Sequence, residues 1–219
     1  MNTSDYNLPL FPKSNISSES DPLYHETIAL QTGYLRIAGV DEAGRGPLAG
    51  PVVAAAVVIP VGKTLEGIKD SKQMKERARE AAFNRLHESA LGIGIGVVSH
   101  QYIDEFNILK ASLEAMRRAV LCLEPLPDFL LVDGIHSVPL MVPQRPLIKG
   151  DQISLSISAA SVIAKVYRDR IMTAYHEQFP WYGFHQNKGY GTASHRGAIE
   201  KYGPSPIHRL TFRGVCRLD

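Results

Sequence analysis

The chain has 219 residues and 44% apolar content, which suits one large domain with a sizeable core. Its longest apolar run, residues 51–61, is about half the length of a membrane-spanning helix, and its start lacks the pattern of a secretory signal; we therefore expect no membrane contact and a cytoplasmic location. The net charge of +2 is uneven, because residues 142–219 hold 11 Lys and Arg against 5 Asp and Glu, which leaves 13 against 17 in the rest. A basic last third favours a polyanionic partner.

The first part of the chain predicts a poorly ordered extension over residues 1–32, because it is rich in Ser, Asn, Pro and acids and has no sustained period. The main domain is then residues 33–219. An apolar island in the extension, with Leu8, Leu10 and Phe11, is similar to the short peptides by which bacterial replication and repair enzymes hold the sliding clamp. The alternative is a tail that docks on its own domain.

Hydrophobic periodicity predicts an α/β succession of strands and helices. The predicted strands cover residues 34–40, 52–59, 91–98, 129–132 and 146–149. The predicted helices cover residues 75–89, 107–123, 193–202 and a long segment that starts between 154 and 158 and ends near 178. The glycines at 92, 94 and 96 have the wrong spacing for a nucleotide loop, and we interpret them as a strand face on which a neighbour packs closely.

Acidic side chains follow three of the predicted strands. Asp41 and Glu42 follow the first strand, Asp133 directly follows residues 129–132, and Asp151 comes just after the fifth strand. In an open α/β sheet the functional crevice lies beyond the strand ends, so these acids can meet there. For Asp41 and Glu42 taken alone, a solvated turn is an equal alternative.

Clustered carboxylates repel one another and raise one another's pKa unless a cation lies between them. A site of carboxylates alone selects hard ions, so Mg²⁺ or Mn²⁺ is expected. Two such ions roughly 4 Å apart can activate a water and stabilise the leaving oxygen in an in-line displacement at phosphorus, which is nuclease chemistry. Asp169 competes with Asp151 for the fourth place, but it lies inside a predicted helix between two arginines, where we expect a structural ion pair.

The loop after the first strand reads Gly44-Arg45-Gly46, in which two glycines permit close approach and the planar guanidinium suits a phosphodiester backbone. In the last third, an aromatic and basic segment around Lys188 and Tyr190 predicts a sugar or base contact.

The order and spacing of several motifs resemble the type 2 ribonucleases H, and specifically bacterial ribonuclease HII, from about residue 34 to residue 212. The motifs are Gly39-Val40-Asp41-Glu42-Ala43-Gly44-Arg45-Gly46-Pro47, Asp70-Ser71-Lys72-Gln73, Leu131-Val132-Asp133-Gly134, Lys149-Gly150-Asp151, Ser158-Ala159-Ala160-Ser161 to Lys165, Asn187-Lys188-Gly189-Tyr190 and Pro206-Ile207-His208-Arg209. The related ribonucleases HIII are less similar, since they lack the Gly-Arg-Gly.

The resemblance implies a ribonuclease H-like fold, a mixed five-stranded sheet flanked by helices with a helical and loop-rich C-terminal part. It implies cleavage of the RNA strand of RNA/DNA hybrids and incision 5′ of a single ribonucleotide in duplex DNA, leaving 3′-hydroxyl and 5′-phosphate ends, with roles in ribonucleotide removal and RNA primer processing.

The resemblance also implies a role for each group of residues. The catalytic, metal-binding acids would be Asp41, Glu42, Asp133 and Asp151. Gly44, Arg45 and Gly46 would read the ribose 2′-hydroxyl at the RNA–DNA junction, and Tyr190 would pack on the neighbouring deoxyribose. Lys72, Lys165 and Lys188 would add substrate contacts.

Two other functions compete with this interpretation. A resolvase or transposase-type nuclease would also use clustered acids, but the Gly-Arg-Gly and the segment from Lys188 to Tyr190 argue against it. A non-catalytic hybrid-binding module would have lost at least one acid, and the chain has all four. We expect a monomer.

Overall fold

The computed structural model describes residues 21–60 and 74–216, which form a five-stranded mixed sheet with helices on both faces. This confirms the predicted α/β fold. The strands are β1 (Ile37–Ala43), β2 (Val52–Val58), β3 (Gly92–Val98), β4 (Phe129–Asp133) and β5 (Gln144–Leu147). The helices are α1 (Tyr24–Gln31), α2 (Glu76–Ser89), α3 (His100–Phe106), α4 (Ile108–Leu121), α5 (Gly150–Ile153), α6 (Leu155–Gln178), α7 (Phe184–Asn187) and α8 (Ala193–Tyr202), with a 3-10 helix at Pro180–Tyr182.

In the strand order β3-β2-β1-β4-β5, the adjacent strands β1, β4 and β5 run in the same direction, so their C-terminal ends lie at the same end of the sheet. β1 is antiparallel to β2 and parallel to β4, and β4 is parallel to β5. Val40 pairs with Val132, so the next residues along these strands, Asp41 and Asp133, lie at the same level. On the other side of β4, where it pairs with β5, Val132 lies opposite Pro146. The topology therefore brings together acids that are 92 positions apart in the chain.

The core has two layers that follow the two-residue period of β2, in which every residue is buried. Val52 and Ala54 belong to the cluster that packs on α4, whereas Ala55 and Val57 belong to the cluster formed with α2 and α6.

The glycine-rich strand β3 lies against α4 on the first of these layers. A Cβ atom at Gly94 or Gly96 would collide with the main-chain carbonyl of Ala119 or Ala115 of α4. The close packing predicted for this face is confirmed.

Helix α1 lies within the stretch that we predicted to be poorly ordered. Ile28 and Ala29 of α1 are buried, and Ala29 joins a cluster with Ile37, Leu131 and Ile157 from β1, β4 and α6. Residues 21–32 are thus part of the packed structure, and the prediction is wrong for them. The apolar residues of α1 do not form one clear helical stripe, so periodicity does not reveal the helix, and its packing depends on contacts with distant strands.

The C-terminal part forms a smaller apolar cluster beside the loop that follows β1. Leu48 and Ala49 of that loop pack with Met172 of α6 and with Phe184 and Ile199 of the last helices. None of the helices within residues 21–60 and 74–216 is long and apolar enough to span a membrane.

Two cysteines without metal-ligand spacing are typical of buried apolar residues, but the structure shows otherwise. Cys122 follows α4 and Cys216 lies near the end of the described chain, and both are free and exposed rather than buried.

Candidate active site

Strand β1 carries the first two acids into a cavity of about 310 Å³. The strand continues through them to Ala43, three residues further than predicted, because it stays paired with β2 after its pairing with β4 has ended at Val40. The residues lining the cavity are Asp41, Glu42, Ala43, Gly44, Arg45, Gly46, Asp133, Ser161, Lys165 and Tyr190. The structure therefore brings together eight of the predicted site residues, together with Ser161, to which the sequence assigned no role.

Asp133 lies at the end of β4, as predicted, and is connected directly to the turn that carries Asp151. Its Oδ1 atom accepts a hydrogen bond of 2.8 Å from the main-chain N–H of Gly150. Asp151 is 5% exposed and lies in α5, not at the end of a strand, since β5 ends at Leu147. The strand-end argument for Asp151 was wrong, although its neighbour Gly150 contacts Asp133.

A buried carboxylate from α1 supports the chain just after α5. Glu26 is 1% exposed, and its Oε1 accepts hydrogen bonds from the hydroxyl of Ser154, the hydroxyl of Ser156 and the main-chain N–H of Ser156, at 2.6 to 2.9 Å. These groups form the N-terminal turn of α6, where a negative charge is favourable. The N-terminal helix thus helps to fix the start of α6, three residues after Asp151.

Asp169, the competitor for the fourth acid, does not line the cavity and forms ion pairs instead. Its carboxylate lies 2.7 Å from Lys165 Nζ and 3.6 Å from Arg79 Nη1. This is the structural ion pair that we expected. Burial lowers the pKa of Lys165, and the Asp169 carboxylate offsets part of that effect. Lys165 therefore lines the cavity while its ammonium group forms an ion pair with the Asp169 carboxylate.

The loop between β1 and β2, which contains Gly44-Arg45-Gly46, is held near its end by Arg168 of α6, a residue that is fully buried. Its guanidinium donates hydrogen bonds of 2.9 to 3.1 Å to the main-chain carbonyls of Pro51, Ala49 and Lys188. Gly44 has a positive φ of 99°, and a Cβ there would collide with the Arg168 side chain. Both features explain why position 44 requires glycine.

A second buried guanidinium, that of Arg209, holds the same loop from the C-terminal side. It donates to the main-chain carbonyls of Gly50, Arg45 and Gly44 at 3.0, 3.0 and 2.6 Å. Burial lowers the pKa of Arg209 to about 9 and that of Arg168 to about 10. Two arginines of the basic last third thus face the protein interior and leave the surface less basic than the sequence predicted.

Tyr190 also lines the cavity, and it is 44% exposed. A Cβ placed on Gly46 would lie 3.7 Å from the Tyr190 ring, and Lys165 Nζ is 5.9 Å from the ring centroid. Lys188 does not line the cavity, and its Nζ donates to the Thr173 hydroxyl at 3.0 Å. Lys72 lies outside the described residues.

Behind Tyr190 lies a pair of histidines that is almost completely buried. His195 Nδ1 is 2.9 Å from the Tyr190 carbonyl, and His195 Nε2 is 3.0 Å from His208 Nε2. Burial lowers the pKa of both imidazoles, to about 4 for His208. From the sequence, His195 and His208 could bind phosphate, but each is more often a structural histidine with satisfied hydrogen bonds, and the structure places both in the interior.

The donor chemistry of the cavity fits a hard divalent cation. Asp41, Glu42 and Asp133 offer oxygen ligands only. Within the described ranges, no group of three or more His, Cys, Asp or Glu is placed to hold a metal ion. Mg²⁺ keeps several of its waters and takes one or two carboxylates together with substrate phosphates, so this arrangement suits it without a complete protein cage.

Comparisons with known proteins identify the class to which this fold and cavity belong, the type 2 ribonucleases H. The model of the ribonuclease HII family matches residues 38–215. The ribonuclease HII of Geobacter sulfurreducens is 58% identical over 190 residues, which cover 87% of this chain and 88% of that protein. The chain therefore belongs to the ribonuclease HII family.

Solved structures agree with this assignment. The ribonuclease H2 of Pyrococcus horikoshii superimposes with a TM-score of 0.69 at 28% identity, over 83% of this chain and 95% of that one. Archaeoglobus fulgidus ribonuclease HII, solved in complex with PCNA, gives 0.71 at 25% identity, over 82% and 96%. The protein is a nuclease with ribonuclease H activity on RNA/DNA hybrids, a hydrolytic activity for which enzymes of this kind generally use divalent metal ions.

Proposed function

We propose that this enzyme also incises duplex DNA on the 5′ side of a single embedded ribonucleotide, leaving 3′-hydroxyl and 5′-phosphate ends. The observation that carries the proposal is the single cavity in which Asp41, Glu42 and Asp133 face Gly44–Gly46 and Tyr190. Acids for hydrolysis and groups suited to recognise a sugar lie within one small space. A substrate phosphodiester can therefore contact both sets at once.

The four acids would hold two divalent ions, Mg²⁺ or Mn²⁺, in this proposal. Asp41, Glu42 and Asp133 would contribute from the cavity wall and Asp151 from α5. When bound, such ions activate the attacking water and stabilise the leaving oxygen. The carboxylates are held for this task by the sheet register and by the hydrogen bond from Gly150 to Asp133.

Recognition of the ribonucleotide would fall to the loop and the tyrosine. The 2′-hydroxyl is the group that distinguishes a lone ribonucleotide from DNA, and it both donates and accepts hydrogen bonds. Gly46 is exposed and carries no side chain, so the main chain of Gly44–Gly46 can approach that hydroxyl closely. Tyr190 lines the same cavity and would pack on the neighbouring deoxyribose. Arg45 and Lys165 would contact phosphates.

The proposal is tested by incision of duplex DNA carrying one ribonucleotide, with Mg²⁺ or Mn²⁺, with chelator, and beside an all-DNA duplex. We expect metal-dependent cutting at the 5′ side of the ribonucleotide alone. An enzyme that cuts long hybrids but leaves the single ribonucleotide intact would contradict the junction-reading role of the loop and Tyr190. A mapped cut on the 3′ side would contradict the proposed geometry.

The role of Tyr190 has a separate test in Tyr190→Ala. The variant should lose about tenfold or more on the single-ribonucleotide substrate and much less on a long hybrid, because stacking on a nucleotide is worth about 1–3 kcal/mol. Phe106→Ala, at a similarly exposed aromatic residue on α3, is the matched control. Equal losses on the two substrates would argue against a junction role.

We propose further that the N-terminal extension binds a sliding clamp through Leu8, Leu10 and Phe11, which lie outside the described residues. The solved complex of PCNA with the Archaeoglobus fulgidus enzyme supports a clamp as the partner. Leu10→Ala combined with Phe11→Ala should abolish co-purification with the clamp and leave hybrid cleavage unchanged. Co-purification that survives both changes would end this proposal.

A further inference from the structure

The segment Ser205–Arg209 contacts both the Gly44–Gly46 loop and the segment that carries Tyr190. Arg209 donates hydrogen bonds to the carbonyls of Gly44 and Arg45, on the loop side. The residue before it, His208, bonds to His195, which in turn bonds to the carbonyl of Tyr190. Two adjacent residues thus connect the loop and the tyrosine that are proposed to recognise the ribonucleotide.

The protonation of the two histidines follows from their partners. A carbonyl oxygen only accepts, so His195 must carry its proton on Nδ1 to bond with Tyr190. Neutral His195 then accepts at Nε2 from His208 Nε2–H, which leaves His208 Nδ1 as an acceptor.

The other end of the chain of hydrogen bonds requires the same arrangement. The main-chain N–H of Ser205 donates to His208 Nδ1 at 2.8 Å, and the Ser205 hydroxyl lies 2.7 Å from the same atom. Both ends therefore specify one tautomer for each imidazole. Burial, which disfavours the charged imidazolium, acts in the same direction.

We infer that His195 and His208 are positioning residues that set the place of the Tyr190 ring relative to the Gly44–Gly46 loop, and thereby the preference for single ribonucleotides over long hybrids. Tyr190 is the exposed member of this arrangement, and its carbonyl accepts from both His195 Nδ1 and the main-chain N–H of Thr192. Losing the imidazole bond leaves the main chain at residue 190 with one restraint fewer, next to a ring that must meet a sugar. This inference rests on the role proposed above for Tyr190.

Substitution of His195 by two different amides separates positioning from general stability. The amide nitrogen of Asn lies near the place of Nδ1, so His195→Asn keeps a donor for the Tyr190 carbonyl and loses the acceptor for His208. The amide of Gln reaches the place of Nε2, so His195→Gln keeps a partner for His208 and loses the donor to Tyr190. His185→Gln, at an exposed histidine of α7, is the control.

We expect His195→Gln to lower the ratio of kcat/KM for a single ribonucleotide to that for a long hybrid by about tenfold, with cleavage of the hybrid little changed. His195→Asn should keep that ratio within about twofold of the unsubstituted enzyme. A variant that merely unfolds in part loses activity on both substrates equally, so its ratio stays constant. A ratio that is unchanged in His195→Gln, or that falls equally in both variants, would overturn the inference.

Two further measurements keep the outcomes distinct. If the unsubstituted enzyme does not incise at single ribonucleotides, the proposed function fails and the inference fails with it. If the enzyme does incise but Tyr190→Ala leaves the ratio unchanged, the proposed function stands and the positioning role is overturned. If the His195 variants do not fold, a long-range ¹H–¹⁵N spectrum of the unsubstituted enzyme reports the tautomers directly. A proton on His195 Nδ1 and on His208 Nε2 is expected, and a proton on His195 Nε2 would overturn the inference.

Discussion

The two sides of the cavity are built in different ways. The acidic side comes from neighbouring strands whose register alone brings Asp41 level with Asp133. The opposite side consists of a loop and a C-terminal segment joined by buried side chains, of which Arg168 and Arg209 bond to main-chain carbonyls more than 100 positions away. Regular pairing is enough to place the carboxylates. The opposite side, called the recognition side here after its proposed role, depends on a few specific hydrogen-bonding groups. Substitutions on the two sides should therefore differ in what they damage.

The largest effect is expected on the acidic side, for Asp133→Asn. The amide keeps an oxygen for the N–H of Gly150, so the fold should persist, while a charged metal ligand is lost. Since such ions supply several kcal/mol of transition-state stabilisation, the rate on a hybrid should fall at least about 1,000-fold. Hydrolysis kinetics and a thermal unfolding curve test both parts.

Glu88→Gln, on an exposed position of α2, is the control for the change in charge and should leave the rate unaltered. An Asp133→Asn enzyme that cuts hybrids at close to the normal rate would remove Asp133 from the catalytic site.

On the recognition side, Arg168→Met should mainly reduce stability. The carbonyls of Ala49 and Lys188 lose the donor that Arg168 supplies, whereas that of Pro51 keeps a longer bond from Arg209. A buried group without a partner costs about 1–3 kcal/mol, so we expect a loss of roughly 3 kcal/mol in the free energy of unfolding. Arg170→Met is the matched control on the same helix: its guanidinium pairs with Glu80 at the surface, where an ion pair contributes at most about 1 kcal/mol. Equal losses in urea unfolding would contradict the distinction between these arginines.

A smaller effect is expected where the N-terminal helix supports the acidic side. Glu26→Ala removes the acceptor for Ser154 and Ser156, and we expect a loss of about 2 kcal/mol in stability. The turn that carries Asp151 precedes these residues, so the rate on hybrids should fall as well. Gln31→Ala, exposed at the end of the same helix, should change neither quantity. Full activity together with lowered stability would show that α1 supports the fold but not the site.

The smallest effect concerns pH and the histidine pair. Their pKa values in the folded protein lie below the ordinary 6.5, with His208 at about 4, so the unfolded chain binds more protons between these pH values. The free energy of unfolding should therefore decrease as the pH is lowered from about 6.5 towards about 4. Thermal midpoints measured across this range test it. His208→Asn should flatten the dependence, and an unchanged slope would show that other groups dominate.

Sequence patterns predicted the acidic side well, because strand ends are visible as apolar runs that stop at an acid. The exceptions have local causes. β1 remains paired with β2 beyond Val40, and the turn after β5 closes into a short helix that contains Asp151. Ordinary periodicity does not reveal such a helix of four residues.

The recognition side was predicted less well, since the burial of a charged residue depends on what lies opposite it. Helical spacing on α6 predicts a buried stripe of Ala160, Ile163, Tyr167, Ile171 and Ala174, with Arg168 on a different face. In the structure Tyr167 is 37% exposed and Arg168 is fully buried. One signal was available: Ala160, Ala164, Arg168 and Met172 follow one another at intervals of four residues, and all are buried. The carbonyls of Ala49 and Pro51, which accept hydrogen bonds from Arg168, lie in a distant loop, and no local sequence pattern indicates them.

The outer edge of β5 limits how the sheet can grow. The carbonyls of Pro143 and Leu147 face β4, where they accept from Leu130 and Gly134, so the alternate residues Gln144 and Pro146 face outwards. Proline has no N–H to offer, and the Gln144 side chain bonds back to the loop at Val138 and Leu140. An incoming strand from a second molecule would find few free partners along this border, and the enzyme is thereby protected from edge-to-edge aggregation there.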